Sequence, residues 1–103
     1  MVSIAAMRYE IFLSPGAQED LRRLDARIRA EVRDALEIHL RHEPTKSSRS
    51  RIKRLRGLAR PQYRLRVGEI RVFYDVVGEG VEIIAILFKP MVEQWLKEAG
   101  EPL

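Results

Sequence analysis

The sequence contains no cysteine and no long apolar run. Without cysteine, a disulfide scaffold, a thiolate nucleophile and a cysteine-ligated metal site are all excluded. No apolar stretch approaches the roughly 20 residues that are needed to cross a bilayer, so we expect no membrane partner. The first residues lack a basic cluster followed by a long apolar run, so we expect no signal peptide and a cytoplasmic location.

Acidic residues are absent from residues 44–68, which we call the basic segment. It holds nine lysines and arginines, whereas the other 78 residues hold ten basic and fifteen acidic side chains. The segment therefore carries +9 and the rest of the chain −5. Such an uneven field attracts polyanions, and nucleic acids are the commonest of these; a solvated basic loop without a ligand is the alternative. The candidate nucleic-acid-binding residues in the segment are Lys46, Arg49, Arg51, Lys53, Arg54, Arg56 and Arg60.

The remaining pattern predicts one domain over residues 1–103. Residues 1–7 are expected to precede the first element, a strand over Tyr9–Leu13. Ser14 and Asp25 are predicted N-caps of two amphipathic helices, which form a hairpin. Residues 46–60 are predicted to be a loop that Ile52, Leu55 and Leu58 anchor to the body. The alternating segments 63–67, 70–76 and 81–88, separated by glycine turns, predict three strands, and residues 91–99 predict a last helix.

These elements define the expected fold class, which is α+β. We predict a two-layer sandwich in which the N-terminal strand and the helical hairpin pack on an antiparallel sheet of three to four strands. A short C-terminal helix follows, with Trp95 as its expected core anchor.

Three arginines are predicted to share one face of the sheet. Side chains two apart on a strand point the same way, so Arg64 and Arg66 lie together, and the turn at Gly68 allows Arg71 to join them. Guanidinium groups bind phosphate oxygens in pairs and stabilise charge on a phosphate. The alternative is a solvated strand face that arginine keeps soluble. Tyr74 either belongs to the core or presents its ring and hydroxyl beside the arginines.

Other chemistry has little support in the sequence. His39 and His42 are the only histidines, and a metal site would need further ligands of that kind. The residues Gly78-Glu79-Gly80 form a turn signal rather than a phosphate-binding loop. We therefore predict no metal and no cofactor.

Two blocks of sequence carry a resemblance to a known family. The run Leu55-Arg56-Gly57, followed after a short gap by Tyr63-Arg64-Leu65-Arg66-Val67-Gly68-Glu69-Ile70-Arg71-Val72-Phe73-Tyr74, resembles the signature of RelE/ParE superfamily toxins of type II toxin–antitoxin systems. The order of the predicted elements is similar as well. The resemblance extends from Tyr9 to about Ala99.

The resemblance implies a function. The RelE branch cleaves messenger RNA in the ribosomal A site, where a ribose 2′-hydroxyl attacks the adjacent phosphate. The ParE branch inhibits DNA gyrase and is not a nuclease. On the RelE reading, which we favour, the chain is a ribosome-dependent endoribonuclease that inhibits translation. Its expected catalytic residues are Arg64, Arg66, Arg71 and Lys89, and Tyr74 is grouped with the residues that bind nucleic acid.

The C-terminal part departs from the RelE pattern, which has an arginine just after the last strand and a tyrosine on the following helix. Here Lys89 is the candidate replacement for that arginine, and no tyrosine follows Tyr74. Two further readings therefore stay open: a non-catalytic gyrase inhibitor, and a degenerate toxin that only binds an antitoxin or regulates its own gene. Every reading implies a cognate antitoxin with an acidic, apolar-rich tail. The nuclease reading also implies the ribosome and mRNA as partners, and the inhibitor reading implies DNA gyrase.

Overall fold

The computed structural model describes residues 8–103, so the expectation for Met1–Met7 lies outside the described residues. The elements are β1 (Glu10–Leu13), α1 (Pro15–Arg23), α2 (Ala26–Leu40), β2 (Ile52–Arg54), β3 (Leu58–Arg60), β4 (Tyr63–Val67), β5 (Ile70–Val77), β6 (Gly80–Phe88), α3 (Val92–Ala99) and β7 (Glu101–Pro102). A 3₁₀ turn over Lys89–Met91 joins β6 to α3. The predicted α+β class is confirmed.

A five-stranded sheet in the order β1-β6-β5-β4-β2 forms the centre of the fold. The antiparallel meander of β4, β5 and β6 is as predicted. Strand β1 pairs in parallel with β6, with Glu10 opposite Gly80 and Leu13 opposite Ile83. The sheet is thus mixed, and it is larger than the expected three to four strands because β2 also joins it.

Two strands lie where the sequence predicts a loop. In β2, Ile52 is buried and pairs with Leu65 of β4, so this part of the basic segment is an edge strand. In β3, Leu58 lies opposite Pro102 of β7, and the two strands form a separate small sheet. The loop prediction for residues 46–60 is therefore wrong for these two triplets, although the anchoring role of Ile52 is confirmed.

The helical hairpin begins where its caps predict. The Ser14 hydroxyl accepts the Ala17 N–H at 3.1 Å, and the Asp25 carboxylate accepts the Ile28 N–H at 3.0 Å. Each bond satisfies an amide that has no partner within its own helix. The Arg29 guanidinium then donates to carbonyls at the end of α1, including that of Leu24 at 2.8 Å, and so closes the turn between the helices.

The hairpin covers one face of the sheet, which we call the helix-covered face. Alternation along β4 and β5 places Leu65, Val72 and Tyr74 there, all with 0% exposure. They form the core with the helical stripe of Ala17, Leu21, Leu24, Val32, Ala35, Leu36 and Leu40. The predicted stripes of both helices are confirmed. None of the helices in residues 8–103 combines the length and apolarity needed to span a bilayer.

The opposite side of the sheet, which we call the outer face, is only partly covered. Helix α3 packs on it through Trp95, whose ring centroid lies 5.0 Å from that of Phe73 on β5. This contact confirms Trp95 as the anchor of the last helix. The pairing of β7 with β3 holds the chain after α3. The part of the outer face beside α3 remains open.

Candidate nucleic-acid interface

Strand register brings the predicted arginines together on the outer face. Arg66 lies directly opposite Arg71 across β4 and β5, and Arg64 lies opposite Phe73. On the other side of β4, Lys53 of β2 lies opposite Arg64. Directly paired residues point to the same face of a sheet, so these four cations share the face on which α3 packs.

An open groove of about 550 Å³ collects three of the four predicted catalytic residues. Arg64, Arg71 and Lys89 line it from the sheet side, and Val92, Glu93 and Leu96 of α3 line its other wall. The fourth residue, Arg66, is the exposed cross-strand partner of Arg71 at the edge of the same surface. Side chains from β4, β5, the 3₁₀ turn and α3 thus converge. We call this surface the cationic groove.

The Arg64 guanidinium has the least favourable surroundings in the cationic groove. Burial, together with the positive charges of Arg71 and Arg66, lowers the pKa of Arg64 from its ordinary value. Its Nε is buried and has no hydrogen-bond partner within residues 8–103. A buried unmade hydrogen bond costs about 1–3 kcal/mol. An anion in the groove would relieve both the repulsion and the unmet donor.

The Arg71 guanidinium is held at the mouth of the β4–β5 turn. Its Nη1 donates to the Gly68 carbonyl at 2.7 Å and to the Ile70 carbonyl at 3.0 Å. Gly68 has φ +58°, a conformation that a side chain would strain, and it thereby allows the tight turn. These bonds to the turn fix the half-buried Arg71 guanidinium beside the groove.

Lys89 and Glu93 enter the groove from the connection after β6. The Lys89 backbone N–H donates to the Glu69 carbonyl at 2.8 Å, which ties the end of β6 to the β4–β5 turn. Glu93 lies in the first turn of α3, and its carboxylate is 3.4 Å from the Lys97 ammonium. Sequence reasoning missed Glu93. The available signal was its spacing of four residues from Lys89, which places both near the start of one helix.

Tyr74 does not belong to the interface, so its predicted contact with nucleic acid is wrong. It lies on the helix-covered face, where its ring stacks on Tyr63 at 5.4 Å and has 0% exposure. Its hydroxyl donates to the Pro44 carbonyl at 2.6 Å. Burial, and to a lesser degree the nearby Tyr63, raises the pKa of Tyr74, so the hydroxyl stays protonated. The alternation along β5 already indicates this position, because Tyr74 shares a face with Ile70 and Val72 and not with Arg71.

Arg60 also has a different role from the predicted one. It lies among three carboxylates, with Glu82 at 3.1 Å, Asp75 at 3.7 Å and Glu101 at 4.0 Å. Asp75 is buried and accepts the Gln62 N–H at 2.8 Å. Burial raises the pKa of Asp75, against the lowering effects of that N–H and of Arg60. Arg60 therefore neutralises acids that join β3, β5, β6 and β7 rather than offering a free charge.

The rest of the basic segment is divided between surfaces. Arg54 lies over the Tyr63 ring at 5.1 Å, on the helix-covered side of its strand. Lys46 pairs with Glu43 at 3.4 Å. The remaining loop cations are exposed and stay candidates for phosphate contact: Arg49, Arg51 and Arg56.

Neither histidine lines the cationic groove. His39 lines a separate notch of about 240 Å³ with Lys46, Ser48 and Arg51 at the end of α2. Burial, and secondarily Arg51, lowers the pKa of His39. Over the described residues 8–103, no group of three or more histidines and acids is arranged to hold a metal ion.

Comparison with known proteins gives a family match. The model of the ParE toxin of type II toxin–antitoxin systems, from parDE, matches residues 11–89. That range includes all but the first residue of β1, every element from α1 to β6, and Lys89. No curated protein matches the sequence.

Solved structures of toxin–antitoxin proteins share the fold. The RelBE2 toxin–antitoxin complex of Mycobacterium tuberculosis is 25% identical with a TM-score of 0.66, over 81% of this chain and 93% of that one. The archaeal RelE–RelB complex of Pyrococcus horikoshii is 22% identical with a TM-score of 0.66, over 81% and 97%. The YoeB/ParE toxin of Agrobacterium tumefaciens is 21% identical with a TM-score of 0.63, over 77% and 96%.

Proposed function

This chain belongs to the ParE toxin family of type II toxin–antitoxin systems, and we propose, from the cations that converge on its groove, that it acts by cutting messenger RNA on the ribosome. The membership confirms the resemblance to the RelE/ParE superfamily. The proposed reaction is attack by a ribose 2′-hydroxyl on the adjacent phosphate, with release of the 5′-oxygen of the next nucleotide.

One observation carries the proposal: Arg64, Arg71 and Lys89 converge on one open groove. A groove that collects cations from three separate elements is suited to the phosphate backbone of a single RNA strand. Negative charge grows on the phosphate oxygens in the transition state, where preorganised donors stabilise it most. The unmet Arg64 Nε offers such a donor at no further desolvation cost.

The proposed roles follow from how each cation is held. Arg71, fixed through Nη1 to the turn, positions and neutralises the scissile phosphate. Arg64 supplies a second guanidinium from the groove floor. Lys89, exposed at the groove mouth, and Arg66, beside Arg71, hold the flanking phosphates. The loop cations Arg49, Arg51 and Arg56 add a general electrostatic attraction to ribosomal and messenger RNA.

A cognate antitoxin is the expected partner, as in the complexes of M. tuberculosis and P. horikoshii. Because the cationic groove has an excess of positive charge, a tail that blocks it is expected to be acidic. Its apolar side chains would contact Val92 and Leu96 on the α3 wall.

Gyrase inhibition is the second candidate, and the family match to a ParE toxin favours it. The absence of a tyrosine after Tyr74 also removes one residue of the RelE pattern. In that case the same cations would contact DNA or an acidic surface of gyrase without breaking a phosphodiester bond.

Expression without an antitoxin separates the two functions. We expect growth and protein synthesis to stop within minutes and primer extension to reveal cuts at fixed codon positions in translated messages. Continued protein synthesis, with collapse of plasmid supercoiling, would overturn the nuclease proposal and support gyrase inhibition.

Arg71→Ala is the matched site variant. We expect it to abolish the cuts, because the phosphate loses its best-positioned cation, while the fold loses only hydrogen bonds to the turn. Arg27→Ala serves as the control, since that side chain is 87% exposed on α2 and also carries one positive charge. Undiminished cutting by Arg71→Ala would contradict the assigned role.

A further inference from the structure

The cationic groove contains one acid among its basic and apolar lining residues. Of the six side chains that line it, three are cations, two are aliphatic, and Glu93 is the sixth. A carboxylate in the groove weakens phosphate binding, because the two negative charges repel each other. Its presence on the wall facing the cations therefore calls for a role other than binding.

The proposed reaction needs a base that these cations do not provide. Arginine stays protonated in proteins and lysine titrates near 10.4, so neither readily accepts a proton at neutral pH. A carboxylate is ionised there, and glutamate is among the common general bases of enzymes. We infer that Glu93 is the general base that removes the 2′-hydroxyl proton, and this inference rests on the proposed function.

The position of Glu93 suits this role. Its side chain is 85% exposed at the open groove, so substrate can reach the carboxylate without a rearrangement. The first turn of a helix favours a negatively charged side chain, and Glu93 lies there in α3. The Lys97 ammonium, four residues on, lies 3.4 Å from the carboxylate and forms an ion pair with it. The contact of Trp95 with Phe73 fixes the helix itself to the sheet.

Three other titratable groups discussed above do not line the groove. Asp75 is buried with Arg60 and the Gln62 N–H. The Tyr74 hydroxyl donates to a buried carbonyl. His39 belongs to the separate notch at the end of α2.

The step balances in atoms and electrons. The Glu93 carboxylate takes the 2′-hydroxyl proton, and the 2′-oxygen forms a bond to phosphorus. The bond from phosphorus to the 5′-oxygen breaks, and that oxygen takes a proton from water. The products are a 2′,3′-cyclic phosphate and a 5′-hydroxyl, and Glu93 returns its proton to solvent. No oxidant, reductant or metal is needed.

The test is Glu93→Gln, assayed on ribosomes programmed with a defined messenger RNA. We expect the single-turnover cutting rate to fall at least 100-fold, within the range that general bases contribute. We expect the toxin concentration for half-maximal rate to stay the same or fall several-fold, because the groove loses a negative charge. Glu93→Asp is expected to retain part of the rate.

Controls separate chemistry from folding. Glu98→Gln is the matched variant, since Glu98 lies on the same helix but is engaged by the Gln94 amide at 2.7 Å and does not line the groove. It is expected to cut within twofold of the wild type. The single tryptophan, Trp95, reports α3 docking by its emission, which should not change in either variant.

Two failures are distinguishable. If wild-type toxin cuts but Glu93→Gln cuts within threefold of it, or if the variant loses binding together with rate, the assignment of Glu93 is wrong and the nuclease proposal stands. If the wild type makes no cuts on programmed ribosomes, the nuclease proposal is wrong, and the role of Glu93 is overturned with it.

Discussion

Arg60→Ala is expected to lower the free energy of unfolding by about 2 kcal/mol, through its effect on buried Asp75. Two charges at 3.7 Å attract by about 4 kcal/mol at an effective dielectric constant near 20. The Arg60 side chain is 40% exposed, so water would replace roughly half of that attraction. Asp75 keeps its bond from the Gln62 N–H, which limits the loss further.

The cost of Arg60→Ala should depend on pH with a defined sign. Burial raises the folded-state pKa of Asp75, so its ionisation removes stability as pH rises from the unfolded value near 3.9 to the folded value. Arg60 lowers this pKa, so the folded-state pKa of Asp75 rises when Arg60 is removed. The pH range over which the ionisation of Asp75 destabilises the fold then extends to higher pH. The cost of the substitution is therefore expected to be small near pH ~4 and to grow toward neutral pH.

Urea denaturation followed by Trp95 emission measures both effects. The control is the same substitution in an Asp75→Asn background, which keeps the side-chain oxygen that accepts the Gln62 N–H but removes the charge. There Arg60→Ala should cost less than in the wild-type background, because only the exposed pairs with Glu82 and Glu101 remain to be lost. An equal cost in both backgrounds, or a cost that shrinks as pH rises, would refute the reasoning.

Two further substitutions test other parts of the fold by the same urea assay. Tyr74→Phe removes the bond to the Pro44 carbonyl, leaves that acceptor buried, and should cost about 1–3 kcal/mol; a loss under 0.3 kcal/mol would mean that the hydroxyl is not needed there. Asp25→Ala removes the α2 cap and should cost about 1 kcal/mol, whereas Asp25→Asn, which keeps a side-chain oxygen, should cost less. An equal loss in the two Asp25 variants would argue against the cap.

The parts of the fold that were predictable are those specified locally. Ser14 and Asp25 mark helix starts by their own side-chain bonds, and the three meander strands follow from alternation between glycine turns. The same alternation placed Arg64, Arg66 and Arg71 on one face. Their position on one surface could be predicted from the two-residue period of a strand alone.

The parts that failed depend on distant partners. The triplets of β2 and β3 are too short and too basic to show a strand pattern, and they become strands only because β4 and β7 lie beside them. Arg60 looked like the other cations until pairing brought Asp75 and Glu82 next to it. Glu93 joins the groove only because Trp95 docks α3 on the sheet. No local pattern contains these long-range contacts.

The parallel pairing of β1 with β6 means that the large sheet can be completed only late in synthesis. Glu10 of β1 pairs with Gly80 of β6, seventy residues later in the chain, so β1 cannot join the sheet before β6 has been synthesised. During synthesis the N-terminal part leaves the ribosome first, so the sheet cannot close until β6 has emerged. Lys89 and Glu93 emerge later still. The cationic groove is therefore completed only after the strands of the large sheet have been synthesised.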